Sequence, residues 1–254
     1  MLLQKTSLGE LSIFLACVFF TGATLLVKYA SIWCTGNVIS FIRFVVGGSA
    51  AFILILIFEK RFAVHDRGVW LIRGFLGGIT MSATYLGIQM TTSGKAILLV
   101  NTYPIFAVMF GLLFFGEKAV LNNLLGLVLC MIGIFFVFQD TSSYASVGNL
   151  ICLCGGVLNG LAVNFIKKAC VRNSPASVYL SACIFGLFFN SLAIQELGTI
   201  PPNIFVILIV TALLALVAQI LLGYGFRHVS AAKGSIIGFF ETQLTLVLSS
   251  TARK

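Results

Sequence analysis

Apolar stretches of about twenty residues recur along the whole chain, separated by short polar turns. Nine can be read: 11–30, 37–58, 69–90, 93–115, 121–138, 147–166, 176–194, 204–226 and 231–250. About 20 residues of helix match the hydrocarbon thickness of a bilayer. Within lipid a spanning segment must satisfy its own backbone groups, which a helix does internally. A water-exposed surface cannot be built from this chain. Only 9% of its residues are charged and 59% are hydrophobic, whereas a soluble domain carries about 25% charged residues. The sequence therefore predicts an all-α integral membrane protein of about nine transmembrane helices. The seven cysteines form no Cys-x-x-Cys pair and lie mostly inside the apolar stretches, where they read as small apolar residues.

The net charge of +9 is a topology signal rather than a nucleic-acid patch, and no nucleic-acid partner is expected. Placing the N-terminus inside puts the loops at 1–10, 59–68, 116–120, 167–175 and 227–230 in the cytoplasm. These carry Lys5, Lys60, Arg61, Arg67, Lys118, Lys167, Lys168, Arg172 and Arg227. The opposite loops, 31–36, 91–94, 140–146 and 195–203, carry no lysine or arginine. The asymmetry predicts a multi-pass protein of the cell (inner) membrane with a cytoplasmic N-terminus. Arg253 and Lys254 go against it.

An internal repeat accounts for that exception. A shift of 138 residues lays stretches 1–4 on stretches 6–9, with Gly22 on Gly160, Gly48 on Gly186, Gly87 on Gly225 and Lys95 on Lys233. Five spans per half is an odd number, so the second half must enter the membrane upside down, as in the inverted repeats of secondary transporters. The expected organisation is a first repeat over 1–140 and a second over 141–254. Under the same shift Gly116 falls on position 254, so the reading is of ten helices with the last missing.

Ionisable groups inside apolar spans are costly and tend to mark function. Lys95 and Lys233 open the fourth and ninth spans from opposite sides. One account has each ammonium reaching its nearer interface along its stem. The other has the pair lining a cavity and binding an anion, aided by the helix N-termini. Thr102 shares a helical face with Lys95, Leu98 and Leu99. Glu241, about ten residues into the ninth span, reads either as a partner for Arg43 or Lys233 or as a proton carrier. Arg43 divides between a structural clamp and a substrate contact, and Arg73 reads as an interface anchor. Asn101, Asn159, Asn164 and Gln219 suit either substrate binding or helix–helix hydrogen bonds. Pro104 frees the carbonyl of Val100, which allows a gating bend or a static kink.

Arg43, Arg73-Gly74, the turn Thr92-Ser93-Gly94, Pro104, and Gly116-Glu117 with Gly126 and Gly133 follow one another in a distinctive order. In this the chain resembles the EamA-type transporters of the drug/metabolite transporter superfamily over nearly its whole length. The resemblance implies two inverted five-helix EamA repeats around a cavity reached alternately from each side. It also implies transport of small polar metabolites such as amino acids or nucleotide-like compounds. The chain departs from the family's pattern in two places: Glu241-Thr242 stands where Glu-Pro is frequent, and the tenth helix is lacking. The partners expected are a small-molecule substrate and the lipid bilayer, with a coupling ion or exchanged metabolite and a homodimer as further candidates. No cofactor is expected.

Two other classes compete. An intramembrane enzyme finds little support, because the two histidines, His65 and His228, sit in no H-E-x-x-H and no G-x-S-x-G is present. An inactive transporter remnant or membrane scaffold is the stronger rival. The topology is open to a direct check. A reporter fused after Ser143 should read as outside, and a cytoplasmic signal there would overturn the orientation.

Overall fold

The computed structural model describes residues 2–60, 62–90, 98–116, 143–238 and 240–251. These are helical: α1 (Leu2–Ala30), α2 (Gly36–Leu54), α3 (Arg67–Met90), α4 (Tyr103–Phe114), α5 (Ser143–Arg172), α6 (Pro175–Phe189), α7 (Pro202–His228), α8 (Ala231–Gly238) and α9 (Phe240–Thr251). A π-helical turn over Ile55–Glu59 extends α2, and a 3-10 segment over Ser191–Thr199 follows α6. The fifth apolar stretch, 121–138, lies outside the described residues. So does residue 239, within the ninth stretch, which carries α8 and α9 on either side.

Among the described residues, four helical stretches are long and apolar enough to cross a bilayer: Thr6–Ala30, Gly36–Glu59, Ser146–Arg172 and Pro202–His228. The chain is thus a multi-pass membrane protein. The seventh stretch, expected as one straight span, bends by 72° between Pro175–Phe189 and Ser191–Gly198. Asn190 accounts for the bend. Its Nδ2 donates to the carbonyl of Gly186 at 2.8 Å and to Ser82 Oγ on α3 at 2.6 Å. A side chain that takes up its own helix's carbonyl competes with continuation of the ladder.

Local chemistry sets several helix starts. Ser174 caps α6 by accepting from the Ser177 amide at 3.1 Å, and Pro175 opens the helix where no backbone donor is needed. Asp66 accepts from the Val69 amide at 3.2 Å at the start of α3. Lys60, in left-handed backbone at φ 57°, ends the π-helical turn, and Gly116 at φ 65° follows α4.

The helices do not sort into a first and a second bundle. α1 packs along α7, α3 along α5 and α6, α2 along α6 and α7, and α4 on α5. Within lipid such packing relies on close backbone approach and interhelical hydrogen bonds. Both are present. At the α3–α6 crossing a Cβ on Gly78 would sit 2.7 Å from the Gly186 amide nitrogen, and one on Gly74 would sit 2.8 Å from the Ser181 carbonyl oxygen. The Trp70 indole donates to the Ser177 carbonyl at 2.9 Å across the same crossing. Asn164 joins α5 to α4 through Ala107 O at 2.9 Å, and Ser12 joins α1 to α7 through Leu221 O at 2.7 Å.

Because the atoms facing Gly78 are backbone, they cannot rotate away from an added side chain. Gly78→Val should therefore destabilise the protein by about 1–3 kcal/mol, read as a lowered melting temperature in detergent and reduced membrane abundance. Wild-type values for both would show that the crossing can open at no cost.

Candidate functional site

The helices enclose a central cavity of about 190 Å³, lined from both halves of the chain. α3 supplies one wall through Arg73, Gly77, Thr80, Met81, Thr84 and Tyr85. Their spacing of four, seven, eight, eleven and twelve residues is that of one helical face. The remaining polar lining is Thr24 of α1, Arg43 of α2, Asn101 before α4, Asn159 of α5, Gln219 of α7, and Glu241 and Thr245 of α9. Drug-sized ligand sites run to roughly 300–1,000 Å³, so this volume suits a compact metabolite.

Arg43 is held at a defined depth. Its Nη1 donates to the Tyr85 hydroxyl at 2.7 Å, which ties the early part of α2 to the late part of α3. Its Nε is buried with no hydrogen-bond partner among the described residues. Arg73 differs from the expected interface anchor. It is only 2% exposed, and its Nε and Nη1 are buried without a hydrogen-bond partner among the described residues. The guanidinium folds back along α3 over Gly77, where an added Cβ would collide with Nη1. Glycine at position 77 leaves room for the arginine head.

Five of the seven acids are described, and four of them lie away from the cavity: Glu10 pairs with Lys233, Glu59 ends the π-helical turn, Asp66 caps α3, and Glu196 accepts from Thr35 Oγ1 at 2.7 Å. Glu241 alone among them lines the cavity. It shares the cavity with Arg43, and among the described residues no ion pair joins the two. Its backbone carbonyl accepts from Thr21 Oγ1 of α1 at 3.4 Å.

The residues singled out in the sequence are thus partly brought together. Arg43, Asn101 and Glu241 share the cavity with Asn159 and Gln219. Lys233 does not join them. Its ammonium, with a side chain 59% exposed, pairs with Glu10 of α1 at 2.6 Å. Its flexible stem carries the charge to the interface, where an acid waits. Thr102 is buried but turned to its own chain, donating to Leu99 O at 2.7 Å, and does not line the cavity. Lys95 lies outside the described residues. Pro104 sits in the first turn of α4 rather than midway along a continuous helix. The helix tightens into a turn at Asn101-Thr102, and Val100, Asn101 and Tyr103 line the cavity. Asn164 is a helix–helix link. Among the described residues no cluster of three metal-ligating side chains occurs.

Arg73 is the residue that sequence reasoning misplaced. The signal was available: Arg73, Gly77, Thr80 and Thr84 form a polar and small stripe at helical spacing, continued by Tyr85. Such a stripe within a membrane span faces protein or water rather than lipid.

Comparison with known proteins agrees with this architecture. An uncharacterized transporter of Synechocystis sp. is 27% identical over 192 residues, a region covering 70% of this chain and 57% of that protein. The chain thus spans little more than half the length of this curated relative. A protein of known crystal structure matches with a TM-score of 0.73 over 97% of this chain and 88% of its own, at 14% identity, a likeness of fold alone. The EamA-like transporter family matches residues 7–139, which hold α1 to α4 together with Arg43, Arg73 and Asn101. Since that match covers more than half of the 254 residues, the chain belongs to the EamA-like transporter family.

Proposed function

We propose that the chain is a secondary transporter that carries a small polar metabolite across the cytoplasmic membrane by alternating access, with its N-terminus inside. The observation that carries this reading is the central cavity. Arg43, Arg73 and Glu241 gather there with the amides of Asn101, Asn159 and Gln219, inside a body whose outer face is apolar. Ionisable groups within spans face such interiors when they serve a substrate or ion path. The turn at Asn101-Thr102, which sets Asn101 against the cavity just before α4, supports it further.

The two-repeat organisation, 1–140 and 141–254, is supported by which helices touch. The repeat equates α1 with α5, α2 with α6, α3 with α7, and α4 with α8 and α9. The α1–α7 contact then has its counterpart in α5–α3, and the α2–α7 contact in α6–α3. The α4–α5 contact has its counterpart in the contacts of α1 with α8 and α9. Five spans per repeat make the relation an inverted one.

The test is counterflow in liposomes, with a pool of labelled amino acids and nucleotide-like metabolites. At least one member should equilibrate faster than in protein-free liposomes, and no difference for any member would sink the reading. Three variants then sort the roles. Lys95→Ala should abolish uptake of an anionic substrate at normal membrane abundance. Lys233→Ala should slow it by less than about fivefold, because an exposed ion pair contributes at most ~1 kcal/mol. For Glu241 as the coupling group, Glu241→Gln should remove dependence on a pH gradient while exchange continues. Unchanged pH dependence in that variant leaves Glu241 as a partner of Arg43 only.

A further inference from the structure

Among the described residues the cavity's charges do not balance: two guanidinium groups, Arg43 and Arg73, line it with one carboxylate, Glu241. Along α3, twelve residues separate Arg73 from Tyr85, the residue that holds Arg43. At 1.5 Å per residue that is a separation of roughly 18 Å. The backbone of Arg73 therefore stands nearer the start of α3, and its guanidinium folds back along the helix over Gly77. Among the described residues it has no carboxylate at ion-pair distance, and two of its nitrogens have no acceptor at all. A buried cation without a countercharge or hydrogen bonds is strongly unfavourable, and proteins that keep one supply the missing partner.

We propose that Arg73 is the anion-binding residue of this cavity, and that the missing partner is the carboxylate or phosphate group of the transported metabolite. The planar guanidinium offers the fork geometry that carboxylate and phosphate accept in pairs. Its Nε and Nη1 are the donors left without an acceptor among the described residues. Gly77 keeps the approach clear, and the hydroxyls of Thr80 and Thr84 continue the same face of α3 toward Tyr85 and Arg43. The small cavity restricts the substrate to a compact anion. An alternative occupant, a lipid headgroup, carries the same phosphate chemistry but brings chains that 190 Å³ does not hold. The assignment rests on the transporter reading for its purpose, but its test reads binding alone.

The full chain, purified in detergent, is titrated with succinate, glutamate, inorganic phosphate and the neutral diamide succinamide while its melting temperature is followed. At least one anion should raise the melting temperature and succinamide should not. Arg73→Gln should weaken that anion at least about tenfold, the range expected for hydrogen bonds to a charged group, and Arg73→Lys should retain part of it. Stabilisation by the phosphate alone or by the carboxylates alone assigns the headgroup class, and stabilisation only by phospholipid vesicles moves the assignment to lipid and overturns the substrate claim. No response to any anion, or an Arg73→Gln titration within twofold of wild type, overturns it as well.

A second measurement needs no variant. Modification of the wild-type protein by phenylglyoxal, read at Arg73 by peptide mass spectrometry, should proceed and should slow with the stabilising anion. An Arg73 that never reacts, or reacts at the same rate with anion present, is not a ligand site. A protein that binds anions at Arg73 but equilibrates nothing in liposomes loses the transporter reading and keeps this one. A protein that moves only uncharged solutes does the reverse.

Discussion

Within a bilayer, apolar side chains gain little by leaving lipid for one another, so backbone proximity decides which helices associate. The α3–α6 and α1–α7 crossings obey that constraint. α3 lies against α6 where Gly74 and Gly78 leave no side chain between two backbones. α1 lies against α7 at a similar point, where a Cβ on Gly225 would come within 2.8 Å of the Gly9 carbonyl. Hydrogen bonds from Trp70, Asn164 and Ser12 then fix register at modest energy each. The cavity is what remains where the tight crossings diverge, and its walls inherit their positions from those glycines.

That geometry explains why charge is tolerated at the centre. Arg43 donates a hydrogen bond to Tyr85, so its burial is partly offset within the protein itself. Arg73 has no such hydrogen bond from Nε or Nη1 among the described residues. The two arginines, alike in the sequence as single cations in apolar spans, therefore differ: Arg43 ties α2 to α3, whereas Arg73 is the group on which the proposed anion site rests.

The membrane class and most of the spans could be read from the chain because the relevant signal, apolar length, is local. α1, α2, α5 and α7 need only their own residues to declare themselves. The bend after α6 could not be read in this way, because it depends on Asn190 reaching Ser82, more than a hundred residues earlier. The fate of Lys233 was equally hidden. Its symmetry with Lys95 suggested a cavity role, but the acid that captures it, Glu10, lies at the far end of the sequence. For Arg73 the information was present and the weighting was wrong. Distance from the helix end suggested an anchor, whereas the spacing of its small and polar neighbours pointed inward. Arg43, Asn101 and Glu241, which line the cavity, stood out in the sequence because each is a strongly polar side chain within a long apolar run.

The interlocking of the halves has a bearing on how the protein is made. α3 is covered chiefly by α5 and α6, both of which follow it in the chain by a long interval. While the ribosome is still synthesising that interval, α3 is already in or near the bilayer with its arginine-bearing face uncovered. An arginine within a span opposes insertion, by at most about 2.5–3.5 kcal/mol at the span's centre and less toward its ends, and the helices that would shelter Arg73 do not yet exist. The order of synthesis thus makes α3 the element most dependent on help during insertion, whether from the translocation machinery, from an insertase, or from a delay in its release into lipid.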